Sequence, residues 1–154
     1  MEGVISNTLK ELLAAMGALY KDIVHVEVAG QHIYMVNVDD GKVLIGGHGD
    51  TIHALDYLAK RIVEEKVLKE KITLDDPHFL VDVNEYRTRQ IKDLQTKALM
   101  MAERARSFEY DVELSPMSAY ERLIVHTTLQ NAPNVKTESQ GEGRNRRVVI
   151  KYAA

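Results

Sequence analysis

Between Lys42 and Lys71 an apolar pattern of helical period is broken once, by Gly46-Gly47-His48-Gly49. Three glycines in four positions call for a sharp turn between a short helix, KVLI, and a long one. The long helix carries Ile52, Leu55, Leu58, Ala59, Ile62 and Val63 as its stripe, with Asp50 or Thr51 placed to cap it. Such a turn exposes successive backbone N–H groups beside the positive end of the next helix dipole, so a phosphate can approach closely. Glycine suits that approach because a side chain would block it. By itself the pattern serves equally as a plain linker between two helices.

Around this turn the periodicity alternates between helix and strand. Leu9, Leu12, Leu13, Met16 and Leu19 recur at helical spacing, with Ser6 or Asn7 as the expected cap. From Asp22 the period falls to two, Ile23, His25 and Glu27 alternating with Val24, Val26 and Val28. QHIYMVNVD repeats the pattern after Ala29-Gly30, which reads as a tight hairpin. Asp75-Asp76-Pro77 is an expected turn, and HFLVDVNEY a third strand. Ile91, Leu94, Ala98, Met101 and Ala105 then share one face of a long helix over about 86–107. YDVEL follows as a short strand, and a helix is expected from about Ser118 to Gln130, ended by Asn131-Ala132-Pro133. Two strands, VKTESQ and RRVVIKY, close the chain around Gly141-Glu142-Gly143. The expected class is α+β: two small α/β-layered domains, 1–86 and 87–154, joined by the long helix.

Composition narrows the function. At 154 residues, 45% hydrophobic, the chain suffices for one ordinary domain or two very small ones, and a net charge of −3 argues against disorder. There is no cysteine, so neither disulfides nor a thiolate zinc site hold it together. No apolar run approaches the roughly 20 residues of a membrane span, and the N-terminus lacks a secretory signal pattern. A cytoplasmic location with no membrane partner is expected. Residues 1–77 hold eight Lys/Arg against thirteen Asp/Glu, whereas residues 78–154 hold twelve against ten. Any contact with nucleic acid must therefore come from a local patch, and the last eleven residues, RNRRVVIKYAA, supply four cations and no acid.

Arg122 and His126 stand four residues apart on the expected helix, hence on one face. A permanent cation beside an imidazole can bind phosphate, the histidine serving as donor or as a stacking surface for a base. Arg144, Arg146, Arg147 and Lys151 form a cationic strip on the terminal hairpin. Strand alternation turns Arg146 and Arg147 to opposite faces, leaving one for a structural ion pair.

Two resemblances follow from these residues. The order α-β-β-α-(GxxG)-α-β over about residues 5–86, led in by Val43-Leu44-Ile45-Gly46, resembles a KH domain of type II. That resemblance implies a clamp on about four nucleotides of single-stranded RNA or DNA. It assigns Gly46, Gly47, His48 and Gly49 to the contact. The two variable loop positions are usually basic or include a basic residue; here they are Gly47 and His48 beside Asp50, and Lys42 and Lys60 or Arg61 are the candidates to supply the missing charge. In the second half, Pro116-Met117-Ser118-Ala119-Tyr120-Glu121-Arg122, Val135-Lys136-Thr137-Glu138-Ser139-Gln140-Gly141 and Arg146-Arg147-Val148-Val149-Ile150 resemble an R-three-H domain from roughly Tyr110 to Tyr152. That resemblance makes Arg122 and His126 the signature pair and implies binding of single-stranded nucleic acid, with Arg144, Arg146, Arg147 and Lys151 continuing the surface.

The two domains in this order resemble the bacterial Jag family. The resemblance implies a cytoplasmic RNA-binding regulator linked to cell elongation and division, with single-stranded RNA (or DNA) as ligand and no cofactor or enzymatic activity. It also implies a homodimer, or pairing with a small KH protein, through the KH half. Many members begin with a further N-terminal domain, and the sequence reads as lacking it. Two other classes stand beside this one. In one the acidic KH half is a protein–protein adaptor. In the other Gly47-His48-Gly49-Asp50-Thr51 resembles the His-x-Asp motif of aminoacylase-type zinc peptidases, with Glu64-Glu65 as acids, which implies a metal-dependent hydrolase.

Overall fold

Helix α1 (Glu2–Ala15) starts earlier than the spacing of its leucines suggests. Ile5 is buried one turn before Leu9 and extends the stripe backwards, so Ser6 and Asn7 lie inside the helix rather than at its cap. The computed structural model describes residues 2–73 and 78–154, and the turn expected at Asp75-Asp76-Pro77 lies outside the described residues.

Strands β1 (Asp22–Val28) and β2 (Gln31–Asn37) pair antiparallel, with Val28 opposite Gln31. Ala29 and Gly30 both take positive φ, 53° and 71°, as a two-residue turn matched to strand twist requires. Next come α2 (Lys42–Ile45), α3 (Asp50–Glu70) and β3 (Leu80–Val83), the last running parallel to β2. The sheet order is β1-β2-β3. One face of this sheet, through Tyr34, Val36, Val81 and Val83, packs on Leu9 and Leu13 of α1 and on Ile52, Leu55, Ala59 and Val63 of α3. Strand β3 is shorter than HFLVDVNEY because Asn84 and Glu85 turn to positive φ, 49° and 62°, and α4 (Tyr86–Phe108) begins at once.

Buried carboxylates hold that turn. Asp82, fully buried, accepts from the backbone N–H of Val83, Arg87 and Thr88 and from the Thr88 hydroxyl, all at 2.7–2.8 Å. Asp56 accepts from Val81 N at 2.8 Å and pairs with Lys60 at 2.7 Å and Arg87 at 3.2 Å. Four-fold acceptance offsets the cost of burying a carboxylate, which is severe when its lone pairs are left empty.

The backbone divides into two compact units, 1–88 and 89–154, the boundary falling within α4. In the second unit β4 (Val112–Glu113), β5 (Val135–Gln140) and β6 (Arg147–Tyr152) form an antiparallel sheet in the order β4-β6-β5. Its Val112, Val135, Val148 and Ile150 meet Val125 and Leu129 of α5 (Ala119–Leu129) and Ala98, Ala102 and Ala105 of α4. Ser118 caps α5 in a reciprocal arrangement, its hydroxyl accepting from Glu121 N while the Glu121 carboxylate accepts from Ser118 N. The class is α+β. Among the described residues no helix is long and apolar enough to cross a membrane.

Candidate nucleic-acid interface

In the first unit the glycine turn is a short 3-10 segment over Gly47–Gly49. Gly46 (φ 76°) has no room for a side chain, since an added Cβ would fall 2.3 Å from Thr51 Oγ1 and 2.8 Å from its backbone N. Gly49 (φ 83°) is the cap of α3, which corrects the expectation that Asp50 or Thr51 fills that position. Asp50 instead occupies the first helical turn. Gly47 and His48 point into solvent, His48 itself at φ 54°. Lys42 is exposed at the start of α2, its backbone N bonded to Asp40 at 3.0 Å. Lys60 and Arg61 do not supply the loop's missing charge. Lys60 is paired with Asp56, and Arg61 is bonded to Glu64 at 3.1 Å and lies over the Tyr57 ring. Both also stand about 15 Å along the helix from its start, at 1.5 Å per residue. Among the described residues no three His, Asp or Glu side chains gather as a metal site.

The second unit offers side-chain cations. Arg122, on the first turns of α5, donates from Nη1 to Met117 O at 2.8 Å, and Met117 N donates to Arg146 O at 3.2 Å. Pro116, Met117, Ser118 and Ala119 line an open cleft of about 450 Å³ together with Arg122, Gly143 and Arg144. Arg144 is exposed there and has no ion-pair partner among the described residues. A guanidinium held by a carbonyl and a second, free one now face the same volume, a geometry suited to an anion with several oxygen acceptors.

His126 sits one turn after Arg122 and is half-buried against β5. Its Nδ1 lies 2.6 Å from Thr137 Oγ1 and its Nε2 2.9 Å from Ser139 Oγ. Burial, and then the charge of Arg122, lower its pKa below the ordinary 6.5. The ring is thus a neutral imidazole near pH 7, with both nitrogens engaged. Thr137 and Ser139 do not stand out in the sequence as site residues. Their alternation on one strand is the available signal, because it sends both hydroxyls to the helix-facing side of the sheet.

The terminal strip is divided. Arg147 is bonded through Nε to Glu113 at 2.9 Å, and Lys151 to Glu138 at 2.7 Å. Each pair raises the pKa of its cation and lowers that of its acid. Arg146 is exposed and reaches the Gly141 carbonyl at 3.5 Å. Of the four cations expected in the strip, Arg144 lines the cleft, Arg146 stands beside the turn, and Arg147 and Lys151 are neutralised on the sheet.

Comparison with known families matches residues 92–152, the segment that builds this cleft, to the model of the R-three-H domain. Residues 92–152 are an R-three-H domain. Curated relatives extend the likeness beyond it. The chain is 37% identical over 112 residues to RNA-binding protein KhpB of Clostridium symbiosum, covering 73% of this chain and 48% of that protein. It is 31% identical over 121 residues to RNA-binding protein KhpB of Bacillus subtilis, covering 77% and 55%. With the KhpB of Lactiplantibacillus plantarum the identity is 32% over 123 residues, 79% and 36% of the two chains. The chain is homologous to these proteins and spans about half the length of the first two. An alignment over 73% of the chain is longer than the R-three-H domain, so the shared ancestry also takes in part of residues 1–88.

Proposed function

We propose that this protein binds single-stranded RNA, or single-stranded DNA in its place, without catalysing a reaction, as a regulator in a bacterial cytoplasm. The observation that carries the reading is the cleft of the R-three-H domain, where Arg122 is set by the Met117 carbonyl and Arg144 has no acid beside it among the described residues. Two arginines at one concavity fit a phosphate, and the apolar Pro116 and Met117 beside them fit a sugar or base edge. Residues 1–88 act as a type II KH domain in this reading. Its supports are the order of elements, the parallel β2–β3 pairing, and a glycine turn whose outer positions are open. By the same likeness it is the surface for a second copy or a small KH protein, and the regulated process is cell elongation and division.

Titration of a labelled single-stranded RNA against the same sequence as a duplex tests this. Tighter binding of the single strand is expected, with log affinity falling against log salt at a slope of about −2 to −4, since few phosphate contacts are available and each contributes about −0.7. A preference for the duplex, or no binding to either, refutes the assignment and leaves the adaptor reading in its place.

A further inference from the structure

We propose that His126 is a positioning residue that does not touch the nucleic acid, and that Thr137 and Ser139 are its working partners. Through them it fixes α5 against β5 and so sets Arg122 at the cleft. This rests on the reading that the cleft binds a strand. A neutral imidazole has one donor and one acceptor, and both ring nitrogens are within hydrogen-bond distance of a hydroxyl, 2.6 Å to Thr137 and 2.9 Å to Ser139. Hydroxyls rotate to suit either tautomer, so the clamp is complete in both. No ring N–H remains for a phosphate unless a clamp bond is given up.

The strand explains why hydroxyls stand at these two positions. Thr137 is opposite Ile150 and Ser139 opposite Val148, two buried core residues, and Val135 on the same face is also buried. Apolar side chains would serve packing alone at that face, and a hydroxyl there is costly without a partner. Two hydroxyls spaced to meet both nitrogens of one ring make a clamp between helix and strand. Arg122 stands one turn, about 5.4 Å, nearer the start of α5, where long side chains lean toward the helix N-terminus. That direction leads to the Met117 carbonyl, and Met117 is tied in turn to Arg146 on the way into β6. Helix α5 is therefore held to both strands of the hairpin, and the arginine is presented between the two attachments.

The test compares single-stranded RNA affinity of His126→Ala with that of the double variant Thr137→Val, Ser139→Ala, each with and without Arg122→Ala. The double variant keeps the imidazole and removes only its partners. An affinity loss of about tenfold is expected for both, comparable to losing one charge-assisted contact. In the Arg122→Ala background neither change should weaken binding further, because the loss acts through that arginine. His126→Gln, which keeps a donor and an acceptor, should recover part of the affinity. Should the double variant fail to fold by circular dichroism, Ser139→Ala alone reads the same coupling. Wild-type affinity for the double variant beside a weak His126→Ala would mean that the ring contacts RNA directly, overturning the proposal while leaving the cleft intact. Equal losses with and without Arg122 would reduce the clamp to general stability and overturn it as well. Wild-type binding by Arg122→Ala itself would instead sink the cleft reading on which this rests.

Discussion

At Gly46–Gly49 the groups turned to solvent are backbone, one imidazole and, just beyond, the Asp50 carboxylate. At the R-three-H cleft they are two guanidiniums, one of them held by a carbonyl. Both places suit an anion, but for different reasons. A backbone site depends on φ and ψ and is shaped by what cannot be there, namely a Cβ at Gly46. A side-chain site depends on charge and on what holds each cation in place. The first therefore breaks through conformation and the second through electrostatics, and substitutions separate the two.

The largest effect is expected from Gly46→Ala. The new Cβ meets Thr51 Oγ1 at 2.3 Å and its backbone N at 2.8 Å, at a φ of 76° that L residues seldom adopt. Strain of this kind costs about 1–3 kcal/mol before the clash is counted, and chemical denaturation should show at least that loss of stability. Gly47→Ala is the control, since nothing lies within 4 Å of the added atom and no positive φ is involved. Equal losses at the two positions would show that the turn is not the conformational site described.

Arg122→Ala comes next and acts on affinity. Losing a charge-assisted contact should weaken single-stranded RNA by about 1–3 kcal/mol. The salt slope should become shallower by about 0.7, one phosphate contact fewer. A weaker complex with an unchanged slope would mean that Arg122 supports the cleft without meeting a phosphate.

How far these sites were legible in the sequence differs between them. The glycine turn was visible as residues because only backbone conformation is at stake, yet which residue caps α3 was not. Asp50 and Thr51 have the usual capping chemistry, and the left-handed Gly49 took the position instead. Arg122 and His126 were legible from their spacing and from the flanking residues. The partners of His126 were not, because Thr137 and Ser139 come to it only when β5 packs on α5. The terminal strip shows the same limit in part. Alternation along the strand already frees one of Arg146 and Arg147 for an ion pair, but only antiparallel pairing sets Glu113 beside Arg147, and Glu138 beside Lys151 as well. Long-range partners of this sort leave no local signature. The helices and strands themselves were readable because their periodicity is local; the early start of α1 and the short β3 mark where a buried Ile5 and the turn at Asn84-Glu85 overrode it.

That division of the strip predicts a ranking. Arg144→Ala should cost more RNA affinity than Arg147→Ala or Lys151→Ala, since the last two cations are already neutralised by Glu113 and Glu138. Parallel titrations of the three variants check it, and equal losses would restore a uniform basic surface.

A smaller effect is expected from pH on the second unit's stability. His126 has a folded-state pKa below 6.5, lowered first by burial and then by Arg122. The unfolded chain therefore takes up that proton more readily than the folded one. The stability this histidine contributes is complete above about pH 6.5 and is lost as pH falls below it. Thermal melts between pH 5 and 8 should show that decline in the wild type and less of it in His126→Gln. A decline of equal size in both would place the titration elsewhere.

The smallest effect belongs to the loop, and it bears most directly on the comparison. Backbone amides and a helix dipole can hold a phosphate without side-chain charge. Here the dipole's favourable end already carries Asp50, and the nearest lysine, Lys42, stands before the turn rather than on it. Introducing acid at the two open positions, Gly47→Asp with His48→Asp, should therefore weaken RNA binding by less than Arg122→Ala, within about 1 kcal/mol at these exposed positions. Conversely, Gly47→Lys should strengthen it, because the position has space for a side chain and ordinary backbone angles. Measured on one RNA, the three variants rank the sites. A greater loss from the acidic loop than from Arg122→Ala would make backbone conformation, rather than the arginine cleft, the main source of affinity. Indifference to all three would remove nucleic acid from both sites and leave the first unit as an adaptor surface.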